Sequence, residues 1–284
     1  MVRILAIGDF HGKFPAKLKG LVKKENVDLI VSVGDYMPFS YRKIWFKNCY
    51  RNDTELWEII GKNKMKQLVN KDLKFGENIL KQLNSLGKLV PVISITGNLD
   101  YTKWKDAIDY DKPKWAWPHQ DFFSKIIKKY KNIKIFDYSS AKFNNLIFIG
   151  MATSTFPGRV KSKNYKKMRI KLDKLFKKFK KQNKNHQVIF VSHNVPYKTK
   201  MSKIASKNAP KDILGVEKGS KLVRRMIEKN KPVLHICGHM HEHQGKCKIG
   251  NTIVINPGAA VDGKAAIIDF DEEKSKVRKV EFIK

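Results

Sequence analysis

Seven side chains able to bind a metal ion recur at the ends of apolar runs: Asp9 and His11 in "GDFHG", Asp35 in "GDY", Asn98 in "GNLD", His193 in "SHNVP", and His239 and His241 in "GHMH". In extended chain alternate side chains share a face, so Asp-x-His and His-x-His each aim two donors at one point. Glycine precedes Asp9, Asp35, Asn98 and His239, which allows the sharp turns that bring backbone and ligands close to an ion. Carboxylate, amide and imidazole together suit Mn, Fe, Co, Ni or Zn, and suit neither a thiolate cluster nor an all-oxygen calcium cage. Seven donors exceed the need of one ion. With one carboxylate shared they fill two adjacent sites of about four ligands each, leaving positions for a bridging water. Two cations roughly 3.5–4 Å apart acidify such a water, bind a phosphoryl oxygen and stabilise in-line displacement.

The elements that must position these donors are legible as apolar segments of strand length at 2–8, 27–34, 89–97, 145–150, 187–193, 233–239 and 251–258. Helical patterns separate several of them. Met168, Leu172, Leu175, Phe176 and Phe179 fall on one face of a helix over 165–182 whose other face is lysine. A second helix is capped by Ser220, runs through Leu222, Val223, Met226 and Ile227, and ends at Asn230 and Pro232. Strands alternating with helices predict α/β layers around one core, and the close-spaced strands of the last third predict a mixed sheet or sandwich. The whole chain, 1–284, reads as a single domain. Two stretches break the rhythm, 36–72 and 101–118, and hold all five tryptophans: Trp45, Trp57, Trp104, Trp115 and Trp117. They read as aromatic-rich loop insertions at strand ends, serving as pocket walls or lids that stack a nucleobase or a substrate ring, or else as a small accessory core or a subunit interface.

The ordered set Asp9-x-His11, Gly34-Asp35, Gly97-Asn98, His193 and Gly238-His239-x-His241 resembles the calcineurin-like metallophosphoesterase family over roughly residues 7 to 258, and "NPGAA" at 256–260 is similar to the family's closing turn. The resemblance implies a two-layered mixed β-sandwich flanked by helices, α/β/β/α, with a dinuclear site at the strand ends. It implies that Asp9, His11, Asp35 and His241 hold one divalent transition-metal ion, manganese first among the candidates. Asp35, Asn98, His193 and His239 would hold the other, with Asp35 bridging. The departure is Leu99: the family's motif has a histidine there that contacts the phosphate or protonates the leaving group. Asp100 stands where the acid orienting that histidine would be, which makes it a candidate catalytic residue beside Asp35, Asn98 and His193. A loop cap is its other reading.

The remaining histidines need no role: His235 lies in an apolar strand, His119 and His186 in polar stretches, and His243 follows His241 at alternate spacing, with a surface position expected. Composition is that of a folded protein, 42% hydrophobic and 11% aromatic. Charge is the abnormal feature, with 59 Lys plus Arg against 26 acids and a net +33. Such a balance attracts nucleic acid, anionic surfaces and acidic substrates. Only 8 of the 59 are arginine, the residue suited to bidentate phosphate recognition, and the lysines are spread along the chain. A solvated basic surface is therefore set against a nucleic-acid partner. Cys49, Cys237 and Cys247 share no metal-knuckle spacing and leave an odd one over, as expected of reduced cytosolic thiols. No run approaches the ~20 apolar residues of a membrane span, so a cytoplasmic protein is expected. The leading expectation is a dinuclear phosphoesterase acting on diesters or activated phosphate esters. Its rivals are a catalytically weak binding module on the same scaffold and a nuclease or nucleotide phosphodiesterase using the basic surface.

Overall fold

The first strand, β1 (Val2–Ile7), shows how this sequence builds layers. Val2, Ile4 and Ala6 enter one apolar cluster while Leu5 and Ile7 enter another, as the two-residue period of a strand dictates. A strand apolar on both faces must be covered on both, and two packed sheets with helices outside satisfy that. The computed structural model describes every residue except 51, 103–113, 154–162, 183–186, 207, 208 and 210; Trp104 and His186 lie outside the described residues.

One sheet runs β12–β11–β1–β2–β3–β4, where β2 is Leu29–Ser32, β3 Val92–Ser94, β4 Ile133–Ile135, β11 Ala265–Asp271 and β12 Lys276–Ile283. Strands β1 to β4 are parallel, and β11 and β12 add an antiparallel edge. The other sheet runs β5–β6–β7–β8–β10–β9, where β5 is Ser140–Phe143, β6 Leu146–Met151, β7 Gln187–Ser192, β8 Leu234–Ile236, β9 Gly245–Ile249 and β10 Thr252–Asn256. Here β6, β7, β8 and β10 are parallel between antiparallel edges. Ile4, Val31, Ile93, Phe148, Val191 and Ile255 belong to the cluster that joins the two inner faces.

Helices α1 (Ala16–Lys24), α4 (Lys62–Leu86) and the short α5 (Phe123–Ile127) cover the first sheet, and α6 (Lys163–Gln182) and α7 (Lys221–Asn230) the second. Ser220 caps α7 by accepting the Val223 N–H at 3.2 Å. Mixed sheets packed face to face between helices make the four-layer α/β/β/α architecture. No helix among the described residues is long and apolar enough to cross a membrane.

The stretch 36–72 departs from the loop expected of it. Helices α2 (Arg42–Asn48) and α3 (Leu56–Ile60) and the first half of α4 occupy most of it. The core stripe of α4 is Met65, Val69, Asp72, Leu73, Gly76, Ile79, Leu80 and Leu83. Asp72 and Gly76 occupy core positions there, so an apolar count passes over the periodicity. Trp57, Trp115 and Trp117 form an accessory core rather than an open platform. Trp57 meets Trp115 edge-on at 5.6 Å, Trp115 stacks on Trp117 at 5.5 Å, and all three pack partly buried against the outer cluster of the first sheet. His119 is likewise half-buried, 3.5 Å from Glu55, and not solvated as its polar surroundings suggest.

Candidate metal centre

The turns after β1 and β2 are tied together by their backbones before any side chain acts. Asp9 N–H donates to Gly34 O at 2.8 Å, Phe10 and His11 N–H to Asp35 O at 2.8 and 3.1 Å, and Gly12 N–H to Tyr36 O at 2.9 Å. Gly34 and Gly97 permit the approach: a Cβ on Gly34 would stand 2.3 Å from the Gly97 nitrogen, and one on Gly97 2.1 Å from Asp35 Oδ1. From the second sheet, the turns after β7 and β8 add His193, which follows Ser192 directly, and His239. His239 N–H donates to Asp9 Oδ2 at 3.0 Å, which clips the two sheets together at the site. Asp9, His11, Asp35 and His239 all have left-handed φ, between 46° and 70°. Each such residue costs roughly 1–3 kcal/mol, and such strain concentrates at functional sites.

These turns bring the seven predicted donors into one region. Asp9, His11 and His241 offer ligand atoms within 4.8 Å of one another, and so do Asp35, His193 and His239. Asn98 joins the second group through Oδ1, 2.8 Å from His193 Nε2. The two groups meet at Asp35, whose Oδ2 lies 3.4 Å from His193 Nε2 and 4.0 Å from His11 Nε2.

The orientation of the rings tests whether a cation fits. His193 Nδ1 lies 2.8 Å from Val33 O and His11 Nδ1 3.3 Å from Met37 O. Donating there leaves each Nε2 as a lone pair facing inward. His11 Nε2 then faces His241 Nε2 at 2.9 Å, and His193 Nε2 faces two oxygens. Lone pairs opposed at such distances repel unless a proton or a metal ion lies among them, so the donor set fits divalent cations. The proton is the metal-free answer. Burial opposes charge on His193, but Asp35 and Asp9 outweigh it and hold its pKa up at about 9. Burial, and then the neighbouring His193, keep His239 neutral with a pKa of about 4. Burial works against the Asp35 carboxylate, yet His193 and His11 beside it hold it well below the usual range.

Asp100 is fully buried and is committed to backbone. It accepts N–H from Asp35 at 3.0 Å, Tyr36 at 2.9 Å and Gly97 at 2.8 Å, which fixes the turns carrying Asp35 and Asn98 against each other. That is the loop-cap geometry, and it makes Asp100 a positioning residue. Leu99 contributes its N–H, 2.8 Å from Asp35 Oδ1. His235 is a core histidine, 2.8 Å from Ser192 Oγ, with burial lowering its pKa to about 3. His243 is partly covered at the surface, where its ring bonds to Lys203 O. Sequence reasoning missed the groups that orient the site: the Val33 and Met37 carbonyls, the Tyr36 hydroxyl between Ser32 and Ser94, and Asp137, which holds Thr96 at 2.6 Å. Carbonyls carry no residue signal; Ser32, Ser94 and Thr96, polar residues inside apolar strand ends, were the available clue.

Comparison with known proteins bears on the fold and the family. A protein of Methanocaldococcus jannaschii described as uncharacterized is 26% identical over 263 residues, 90% of this chain and 88% of that one. A solved crystal structure superposes with a TM-score of 0.67 at 20% identity, covering 99% of both chains. A second, from Thermus thermophilus, gives a TM-score of 0.59 at 15% identity, covering 99% of this chain and 97% of that one. The family model described as metallophosphoesterase, calcineurin superfamily, matches residues 1–280, and the chain belongs to that family.

Proposed function

We propose that this protein hydrolyses phosphoesters with good leaving groups, diesters or otherwise activated esters, at a pair of divalent metal ions. The observation that carries this reading is the pair of three-residue groups, Asp9, His11 and His241 beside Asp35, His193 and His239. Asp35 lies between them and Asn98 completes the second. Bound there, two cations supply Lewis acidity that lowers the pKa of water and offsets charge on phosphoryl oxygens. The chain's own part is to hold the donors: Val33 and Met37 fix the ring tautomers, Asp100 fixes two turns, and the Asp9 and Asp35 carboxylates stay ionised. What it does not supply is an acid at position 99. A leucine side chain donates no proton, so the leaving group departs as an anion or is protonated by solvent. Good leaving groups tolerate that.

Reconstituted with Mn(II), the protein is expected to cleave an aryl phosphodiester. Chelation, or Asp35→Ala, is expected to remove at least about 100-fold of that rate, more than loss of a group one shell further from the metals. Metal-replete protein inert on every phosphoester tried overturns the reading. Leu99 and the net charge of +33 also favour a second one, a catalytically weak binding module on the same scaffold that presents its aromatic stretches to a protein or nucleic-acid partner. Purified protein with no transition metal and no metal-dependent thermal shift is its signature.

A further inference from the structure

Helix α4 carries an aromatic side chain that the core does not claim. Phe75 lies off the buried stripe and keeps 43% of its surface exposed. Among the described residues it is the only exposed aromatic side chain. Phenylalanine forms helix less readily than the lysines around it, so local structure does not call for it either.

Its position is fixed tightly against the candidate centre. A Cβ on Gly12, the residue after His11, would lie 3.2 Å from the Phe75 Cβ. One residue on, Gly76 lets α4 press onto the turn that orients His11: a Cβ there would lie 2.8 Å from Met37 Cγ, and it is the Met37 carbonyl that faces His11 Nδ1. One turn earlier, Asp72 accepts the Ser40 hydroxyl at 2.9 Å. The helix is thus locked in register with Phe75 at Gly12. The same side of the centre is open to solvent. The side chains of His11 and His241 are 15% and 37% exposed, against 3% for Asp35 and 0% for His193. Phe75 therefore borders the turn that carries His11, one of the partly exposed donors. The Lys71 ammonium, 6.0 Å from the ring centroid, adds a cation at that rim.

Resting on the phosphoesterase reading above, we propose that Phe75 is a specificity-determining residue that stacks a flat aromatic group of the substrate, an aryl ring or a nucleobase, at the rim of the metal centre. The test uses binding to the Mn(II)-loaded protein, measured by calorimetry, in two matched pairs: phenylphosphonate against methylphosphonate, and AMP against ribose 5-phosphate. In wild type the aromatic member of at least one pair binds about tenfold tighter, the scale of one aromatic contact. A gap in the first pair alone identifies an aryl group, and in the second alone a nucleobase. Phe75→Ala closes the gap by weakening the aromatic member only, while Phe75→Tyr and Phe75→Trp keep it. No gap in wild type, or a gap unchanged in Phe75→Ala, overturns the proposal whether or not the protein turns over. A Phe75-dependent gap in a protein that cleaves no phosphoester leaves the stacking in place and removes the phosphoesterase reading.

Discussion

The two halves of the metal centre are made from the same residue types and differ in their access to water. In the group of Asp35, His193 and His239, the Asp35 and His193 side chains are 3% and 0% exposed and His239 alone is partly exposed. Asp9, His11 and His241 lie at the mouth, where a buried Asp9 faces a His241 that is 37% exposed. Burial raises the electrostatic stakes on every ionisable group at once. The buried half is therefore an ion pair that must hold a charge among its donors, either proton or metal, whereas the open half can hydrate its imidazole when nothing is bound.

Deleting one histidine from each half breaks this comparison most directly. His193→Ala leaves the Asp35 carboxylate buried without its partner, and losing one member of a buried pair costs about 3–5 kcal/mol. His241→Ala also takes a partner from a buried carboxylate, Asp9, but the ring it removes is 37% exposed and water can enter in its place, so a smaller cost to the metal-free protein is expected. Chemical denaturation of the two metal-free variants is expected to show that difference. Metal analysis is expected to show His241→Ala keeping the cation of the buried half and losing the other. Equal destabilisation by the two substitutions would mean that burial does not distinguish the halves.

Acidity sharpens the same point with a smaller effect. His193 has a pKa of about 9 in the folded protein against about 6.5 unfolded, so the folded state holds the extra proton between those values. Its contribution to stability is then fully present below pH 6.5 and is lost as pH rises through 9, a loss of up to roughly 3 kcal/mol. Metal-free protein should lose stability over that window, while metal affinity should climb over the same window because binding displaces the proton. His239, at about 4, is already neutral there and adds nothing. Denaturation midpoints of the metal-free protein that stay flat from pH 6.5 to 9 would refute the paired state of His193.

Much of this centre could be read from residues alone, because each ligand follows an apolar run and most follow a glycine, a local pattern that survives without knowing the fold. The sandwich was legible for the same reason: buried parallel strands such as β1, with "ILAI" at 4–7, are continuous apolar runs. What was hidden depends on contacts between distant segments. Helix α4 disguises its core face with Asp72 and Gly76, whose partners are Ser40 and Met37. Strand β12, "KVRKVEFI", carries its charges toward solvent at a sheet edge and resembles ordinary surface chain. Asp100 looked like half of a catalytic pair because its neighbour in sequence is position 99. Its actual partners include the N–H groups of Asp35 and Tyr36, more than 60 residues away.

That last contrast sets the size of the smallest effect. Leu99 sits over the buried half, its N–H on Asp35 Oδ1, so Leu99→His would place an imidazole where no proton donor now stands. A well-positioned acid contributes about 10²–10⁴-fold, and a neighbouring carboxylate free to orient the ring would favour the upper part of that range. Asp100 is not free: each of its oxygens already accepts backbone N–H groups, and turning it toward a new ring would unfasten the turns of Asp35 and Asn98. The introduced histidine would act without an orienting partner. A gain of about tenfold on alkyl esters is therefore expected, with little on aryl esters, whose leaving groups need no proton. Rates of both proteins across esters of graded leaving-group pKa give the answer as a slope. Wild type should fall steeply as the leaving group weakens, and Leu99→His less so. A shallow wild-type slope that the substitution leaves unchanged would show that a proton already reaches the leaving group by another route, and that the open half of the centre supplies what position 99 does not.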